Sequence, residues 1–254
     1  MAPPHRQVLR FLAGGVGFSL PLAAVREIVP VDGAPPAEPG DGAFDLAARL
    51  GLRSEPRFSL LLDSAGPPAL LVDSMRGVGD LAHAEAFRLP DGVVEARPAP
   101  FRSAMRFGDE LDLELLPEAL PDLRREPLAA RPAFPDLPPA ARELIAERGG
   151  ERLAVPLPLV VQVLERQRIF PTPLPPPGFR GLLHHGRAIH PTWDAAALLG
   201  VPAATEPGVL LLLDAGGATS GVLVDRVLGL AEGTAAGPAR RPAWDALLAP
   251  AEAR

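Results

Sequence analysis

Three of the five histidines in this 254-residue chain lie close together, at His184, His185 and His190. Histidine nitrogens are common zinc ligands, so the cluster could hold a metal ion that activates water for hydrolysis. A hairpin turn at His185–Gly186 would, however, place His184 opposite the cation Arg187, and no carboxylate lies among the histidines to complete a ligand set. We therefore expect no metal site, and we keep a metal-dependent hydrolase that uses the three histidines as an alternative function.

Aspartates end four of the apolar runs of the chain. They are Asp63, Asp73, Asp214 and Asp225. Paired carboxylates could serve in acid–base catalysis. These four recur at the same places in two similar segments, and aspartate at a strand end commonly caps a turn. We therefore interpret them as structural. No catalytic residue is predicted, because the Gly-x-Ser-x-Gly motif of a serine nucleophile is absent as well.

Missing residue types exclude several further chemistries. The chain has no cysteine, no lysine and no asparagine. A phosphate-binding P-loop and Schiff-base catalysis both need lysine, and a protein kinase needs lysine and asparagine. Without cysteine the chain can form neither a disulfide nor a thiolate nucleophile. We predict no enzymatic activity and no cofactor.

Charge and hydropathy narrow the class of protein further. A net charge of −6 and a pI near 5.4 argue against nucleic-acid binding, which needs a basic surface. Hydrophobic residues make up 47% of the chain, but no apolar run reaches the roughly 20 residues of a membrane span. The composition predicts a globular protein without direct membrane insertion, and the lack of cysteine fits a cytoplasmic location.

The stretch FLAGGVGFSLPLAAVREIV at 11–29 follows two arginines and has the general form of a secretory signal. A hairpin through Gly14–Gly15 is the other interpretation, because glycine readily adopts the positive φ of a tight turn. The pattern recurs at one constant offset in RELIAERGGERLAVPLPLVVQVLE at 142–165. A signal peptide has no reason to recur in mid-chain, so we predict a folded hairpin in both places.

Each hairpin is followed by the same further elements. Short helix-like pieces, FDLAARLGL at 44–52 and WDAAALLGV at 193–201, begin with Asp45 and Asp194 in N-cap-like positions. A second hairpin follows each piece, at 58–79 and at 209–230. Short apolar runs at regular spacing, separated by Gly and Pro, are typical of β-barrels and β-sandwiches. The sequence therefore predicts an all-β protein with short helices, built from one module used twice.

The order of these motifs resembles the CheW-like domain family, the adaptor modules of bacterial chemosensory systems. The matching motifs are Val25-Arg26-Glu27-Ile28 in the first copy, and Gly178-Phe179-Arg180-Gly181, Gly186-Arg187, Pro191-Thr192-Trp193-Asp194 and GVLVDRVLGL at 221–230 in the second. The resemblance implies tandem CheW-like modules, each built from small five-stranded β-barrels.

Both copies are expected to be partly truncated, at different places. The first lacks the Arg-Gly strand pair, and the second lacks a closing segment like the one at 87–116 of the first. One hypothesis is that the copies complete each other's barrel edges. A stretch at 117–139 with seven prolines separates them. We predict a divergent CheW-like domain at 1–118, a Pro-rich linker at 119–140, a CheW-like domain at 141–233 and a flexible C-terminal tail at 234–254.

The resemblance also implies a function and its partners. Family members are non-enzymatic adaptors that couple chemoreceptors to a histidine kinase. The expected partners are the regulatory domain of a CheA-type histidine kinase, the cytoplasmic tip of a chemoreceptor, or another CheW-like protein. The implied partner-binding residues are Val25, Glu27, Ile28, Val160, Gln162, Val163, Phe179 and Arg187. Because Gln162 replaces an acidic residue and glycine stands in place of a family arginine, a non-coupling modulator of a CheA-type kinase is a second alternative.

Overall fold

The chain folds into two compact units. In the computed structural model the described residues are 7–31, 43–63, 66–90, 96–97, 99–125, 140, 142–165, 167–202, 206–215, 218–232, 238–244 and 248. Unit 1 comprises Met1–Leu89 and Val94–Pro127, and unit 2 comprises Pro90–Val93 and Leu128–Arg254. Within the described ranges no helix is long and apolar enough to cross a membrane.

Unit 1 is built almost entirely of strands. They are β1 (Gln7–Ala13), β2 (Val16–Pro21), β3 (Val25–Pro30), β4 (Ala43–Asp45), β5 (Phe58–Leu62), β6 (Ala69–Val72), β7 (Ser74–Asp80), β8 (Glu85–Phe87), β9 (Ala96–Arg97), β10 (Phe101–Phe107), β11 (Glu110–Leu115) and β12 (Arg124–Arg125), with one helix, α1 (Leu46–Arg49). One sheet has the order β7-β1-β2-β11-β10-β8 and a second the order β3-β5-β6-β4, while β12 pairs only with β9.

The first hairpin of unit 1 forms as predicted, with residues 11–29 in β1, β2, a 3-10 turn and β3. Gly14 and Gly15 adopt φ values of 59° and 77°, which only glycine reaches without strain. The two strands bury Phe11 and Phe18, whose rings stack at 5.9 Å between centroids. Phe101 of β10 stacks on Phe18 at the same distance, so aromatic packing joins β10 to the hairpin.

Unit 2 has a similar construction. Its strands are β13 (Arg142–Arg148), β14 (Glu151–Pro156), β15 (Val160–Glu165), β16 (Ile169–Phe170), β17 (Phe179–His185), β18 (Ala188–Asp194), β19 (Val209–Ala215), β20 (Ala218–Val224) and β21 (Arg226–Glu232), with helix α2 (Ala195–Leu199). The sheets have the orders β14-β13-β21 and β15-β19-β20-β18-β17-β16. The predicted β-rich fold with short helices is confirmed.

The larger sheet of unit 2 is rolled. Leu164 of β15 and Leu183 of β17, from strands far apart in the sheet order, lie in one buried cluster. Leu210, Leu212 and Leu223 from the strands between them complete the cluster. Strands at opposite ends of a sheet share one core only if the sheet curls upon itself, as in a small barrel.

The two units repeat the same local geometry. A 3-10 turn follows β2 and β14 alike, after Pro21 and Pro156, whose φ and ψ angles agree within a few degrees. The next strand of each unit then carries a β-bulge, between Val25 and Glu27 in β3 and between Val160 and Gln162 in β15. The two units therefore share backbone detail at the places where their sequence motifs are similar.

The units differ in which sheet is extended. In the described part of unit 1, the sheet that contains β4 has no counterpart of β16 and β17. In the described part of unit 2, the sheet that contains β14 has no counterpart of β10 and β11. That the two copies complete each other's edges stays a prediction.

The C-terminal tail, predicted to be flexible, contains buried residues. Trp244 and Leu248 are buried, and the Trp244 indole Nε1 donates a hydrogen bond to the Ala154 carbonyl oxygen at 3.0 Å. Ala- and Pro-rich composition hides this one large aromatic anchor. Residues 234–237, 245–247 and 249–254 lie outside the described residues, so the flexible tail as a whole stays a prediction. In the predicted linker, Leu120 and Leu123 lie in the interior of unit 1, and residues 126–139 lie outside the described residues. The bounds of the four predicted segments stay predictions.

A buried arginine connects the two sheets of unit 2. Arg148, at the end of β13, donates from Nε and Nη2 to the two carboxylate oxygens of Asp194 at 2.9 and 2.8 Å, and from Nη1 to Asp225. Asp194 also caps α2 by accepting from the Ala196 N–H, as the sequence predicts. Bidentate pairing of a planar guanidinium is among the strongest side-chain hydrogen bonds in proteins. One side chain thus fixes β13, the start of α2 and the β20–β21 junction.

Unit 1 keeps the aspartate of this cluster but not the arginine. Asp73 accepts from the Gly14 N–H at 2.7 Å, as Asp225 accepts from the Gly149 N–H at 2.8 Å. The position of Arg148 is taken by Ala13, and the buried Oδ1 of Asp73 has no hydrogen-bond partner among the described residues. The aspartates at these strand ends serve turns and ion pairs, in agreement with their interpretation as structural.

Replacing Arg148 tests the importance of this cluster. We expect Arg148→Met to lower the free energy of unfolding of unit 2 by about 3–5 kcal/mol, because it leaves two carboxylates without their buried partner. The measurement is urea unfolding followed by emission of Trp193 and Trp244, the only tryptophans, which both lie in unit 2. The control is Arg226→Met, whose ion pair with Glu147 is exposed, with an expected loss of at most about 1 kcal/mol. Equal losses in the two variants would contradict the proposed role.

Acid should weaken the same cluster. Burial acts to raise the pKa of Asp194, but hydrogen bonds from Arg148 and the Ala196 N–H outweigh it and leave that pKa below its ordinary value. A lowered pKa stabilises the folded state above the ordinary carboxyl pKa of about 3.9, and this stabilisation is lost as the pH falls through the lower folded value. We expect the urea midpoint of unit 2 to fall below about pH 4, and to fall less in Asp194→Asn, which keeps the helix cap. Parallel pH profiles would rule out this linkage.

Candidate partner-binding surface

Strands β3 and β15 are the edge strands at which the resemblance places partner binding. Each is the first strand in its sheet order, and hydrogen bonds to one neighbour, β5 or β19. Their burial patterns are nearly the same, with most side chains exposed along the strand. Exposed apolar edge strands favour pairing with other chains and are usually covered or blunted in proteins that act alone.

In unit 1 the predicted residues lie where a partner could reach them. Val25 is half-buried at the start of β3, while Glu27 and Ile28 are exposed, together with Val29. Two large aliphatic groups and one carboxylate thus face solvent on one short strand. Arg26 lies between Val25 and Glu27 and approaches Asp63 at 3.8 Å, an exposed pair that contributes little to stability.

In unit 2 the aligned residues form a more apolar strand. Val160 is half-buried, whereas Val161, Gln162 and Val163 are exposed. The Gln162 Oε1 lies 2.9 Å from the Nε2 of His185. His185 is on β17, which is near the other end of the sheet order from β15. With Nε2 protonated, His185 donates to Gln162, and this contact links β15 to β17. The amide at 162 was predicted from the sequence, but its partner was not.

The structure has a second pair of exposed apolar sites, which the sequence did not predict. Val78 on β7 and Leu230 on β21 are 55% and 57% exposed, and Leu228 on β21 is also exposed. On β21 exposed and half-buried residues alternate strictly. The alternation in RVLGLAE was visible in the sequence, but the period of a strand does not tell which face is buried.

Two predicted partner-binding residues are placed differently from expectation. Phe179 is 6% exposed and packs edge-on against Trp193, with ring centroids 5.0 Å apart. Its side chain therefore lies in the core of unit 2, and its partner-binding role stays a prediction. Arg187 is exposed, but it lies with Gly186 in the hairpin turn, because His185 pairs with Ala188. The predicted turn was therefore displaced by one residue, and His184 lies opposite Ile189.

The three histidines do not converge. His184 and His185 are consecutive in β17 and point to opposite faces of the sheet. The His185 ring contacts Gln162, and the His190 Nδ1 lies 3.4 Å from the Thr219 carbonyl oxygen. Burial lowers the pKa of His190 in spite of that contact. Among the residues that the structure describes, no three histidine or acidic side chains are placed to hold a metal ion, so the geometry does not favour the hydrolase alternative.

The comparisons with known proteins agree with the motifs. The CheW-like domain family matches residues 144–236, which include β14 to β21. No curated protein matches the chain. The solved structure of the scaffolding protein TtCheW from Thermoanaerobacter tengcongensis is similar at 17% identity and a TM-score of 0.35, over 38% of this chain and 66% of that one. The family match alone identifies residues 144–236 of this chain as a CheW-like domain.

Proposed function

We propose that the chain is a non-enzymatic adaptor of a bacterial chemosensory system, in which the CheW-like domain binds other proteins through β15. The exposed edge strand within a CheW-like domain is the observation that carries this proposal. The partners that the family suggests are the regulatory domain of a CheA-type histidine kinase, a chemoreceptor tip or another CheW-like protein. A cytoplasmic location at receptor arrays follows from those partners.

Strand β15 has the chemistry of a protein contact rather than of a catalytic site. Val161 and Val163 offer aliphatic surface on both sides of Gln162, and the amide is already held by His185. The side chains of Val161, Gln162 and Val163 carry no charge, so a buried interface can cover them without leaving a charge unpaired. The strand edge can in addition hydrogen bond to a partner strand.

Unit 1 is proposed to be a second, divergent CheW-like domain with a different preference. It shares the hairpin, the 3-10 turn, the bulged edge strand and the capped helix with unit 2. The exposed Glu27 stands where unit 2 has Gln162. A carboxylate at the centre of a contact surface selects a cationic group on the partner, whereas the amide accepts a neutral one.

The modulator alternative keeps this fold and changes only the number of partners. An adaptor must bind kinase and receptor together, while a modulator occupies the kinase alone. Gel filtration of the purified chain with the kinase regulatory domain and a receptor tip fragment separates the two functions. A ternary complex supports coupling, and a binary complex with the kinase alone supports the modulator.

Reversing the charge of Glu27 tests the contact surface of unit 1. We expect Glu27→Arg to weaken binding to the kinase regulatory domain by at least about 1 kcal/mol, as for a moderately important interface residue. The measurement is isothermal titration calorimetry with purified proteins. Glu55→Arg changes another exposed carboxylate by the same charge and should leave affinity unchanged. An unaltered affinity of Glu27→Arg would show that unit 1 does not bind this partner.

A charge placed on β15 tests unit 2 separately. Val163→Asp should weaken partner binding by about 2 kcal/mol or more, because a desolvated carboxylate would have no partner in an apolar contact. Val163→Thr keeps the shape and the β-branched side chain and serves as the control, with a much smaller loss. Circular dichroism verifies that both variants fold. If aspartate and threonine bind equally well, β15 is not the contact strand.

A further inference from the structure

The outer edge of β14 is covered by the C-terminal segment, defined as residues 238–244 and 248. The Arg240 N–H donates to the Arg152 carbonyl oxygen at 2.9 Å, and the Ala154 N–H donates to the Arg240 carbonyl oxygen at 2.8 Å. Arg240 thereby forms a parallel bridge with Leu153. The segment thus adds a very short parallel strand beside β14.

Unit 1 covers the corresponding edge, that of β2, in another way. There β11 pairs in parallel with β2, through Leu113 opposite Phe18 and Glu114 opposite Ser19. Phe18 of unit 1 corresponds to Leu153 of unit 2, so Arg240 occupies the place that β11 occupies in unit 1. The structure thus shows one edge position filled by two unrelated pieces of chain.

A buried carboxylate in unit 2 is matched to the C-terminal segment. Glu143 of β13 is 1% exposed and accepts from the Arg241 Nε at 3.1 Å and from the Arg241 Nη2 at 3.2 Å. Its other partner is the Ala140 N–H at 2.9 Å. The equivalent position of unit 1 is Val8, so strand pairing itself needs no charge there. Glu143 therefore serves recognition of the cation that the segment brings.

An aromatic anchor completes the contact. Trp244 is 1% exposed, and its indole bonds to the same Ala154 whose N–H binds Arg240. Ala239 packs on the small apolar cluster of Ile145 and Ala154. Large buried aromatic side chains with one satisfied polar atom are the usual energetic centres of a peptide contact.

Strand pairing by the segment is confined to one residue. Pro242 has no N–H to donate, so it cannot continue the hydrogen-bond ladder after Arg240. Besides the bridge, the Arg241 ion pair and Trp244, the segment is held by a hydrogen bond from the Arg240 Nη1 to the Leu199 carbonyl oxygen at 3.2 Å and by the buried Leu248, whereas β11 is held on both sides by neighbouring strands. Contacts that are made by separate side chains at an edge are the kind that a competing segment can replace.

We propose that the edge of β14 with Glu143 is a strand-addition site for an extended segment that carries arginine and, three residues later, tryptophan. The C-terminal segment of this chain is its ligand and occupies it in cis. A second copy of that segment can displace it. The proposal does not depend on the adaptor function, because it concerns the smaller sheet of unit 2 and not β15.

The test uses the full chain and a fluorescent synthetic peptide of residues 238–254. In the wild type the attached segment competes with the peptide at high effective concentration, so anisotropy should show weak binding. In Trp244→Ala the attached segment loses its anchor, and the peptide should bind at least about tenfold more tightly. A peptide that carries the same Trp244→Ala change is the matched control and should bind neither chain. Addition of Glu143→Gln to the Trp244→Ala chain should reduce peptide affinity again.

Three outcomes would overturn the proposal. They are equal affinity for the wild type and Trp244→Ala, binding of the control peptide, and failure of the variant chain to fold. The last would show that the segment is an integral part of the core. Arg241→Ala, which keeps the tryptophan and removes only the ion pair, provides the second comparison. It too should bind the peptide more tightly than the wild type does.

Discussion

A single guanidinium determines how the two sheets of unit 2 meet. Arg148 is almost completely removed from water, which is costly unless its hydrogen bonds are satisfied by carboxylates. Asp194 supplies that charge from the larger sheet and Asp225 from the β20–β21 junction between the sheets, so the sheets cannot separate without exposing or unpairing an ion. Both aspartates belong to the sequence motifs that indicated a CheW-like domain, and their common partner explains why each ends a strand. The ion cluster also holds β13, the strand whose Glu143 contacts the C-terminal segment.

The absence of this arginine from unit 1 is accompanied by a different means of joining elements. There Arg10 and Arg76 approach the buried Asp112 of β11, each by a short hydrogen bond, and so connect β1, β7 and β11. The described residues of unit 2 contain no counterpart of β11. In unit 2 the buried charges lie instead at the junction between its two sheets. Among the described residues each unit thus has a buried arginine–aspartate cluster, and the two clusters lie at different places. The units therefore differ in the position of this polar anchor as well as in the strands that each contains.

Local features were predictable from the sequence, and distant pairings were not. The glycine hairpins, the aspartate caps of α1 and α2, and the repeated order of elements follow from residue types that act on their immediate neighbours. The pairing of Arg148 joins residues 46 and 77 positions apart, and no local pattern indicates it. Phe179 was named as a partner-binding residue because a motif gives the order of residues but not the face of a strand on which each lies. The burial of Trp244 was not predicted, because one anchor in a stretch of alanine and proline leaves no periodicity.

The bulges in β3 and β15 have a consequence for how the exposed strand could change. Each bulge places two residues of the edge strand opposite one residue of its neighbour, so the extra residue is left out of the pairing. In β15 the residues after Val161 pair in regular order, with Val163 opposite Leu211 and Leu164 opposite Leu210. Loss of Val161 would leave those pairs, and the faces on which their side chains lie, unchanged. The bulge can therefore absorb a change in strand length, while Val163 stays exposed and Leu164 stays in the core.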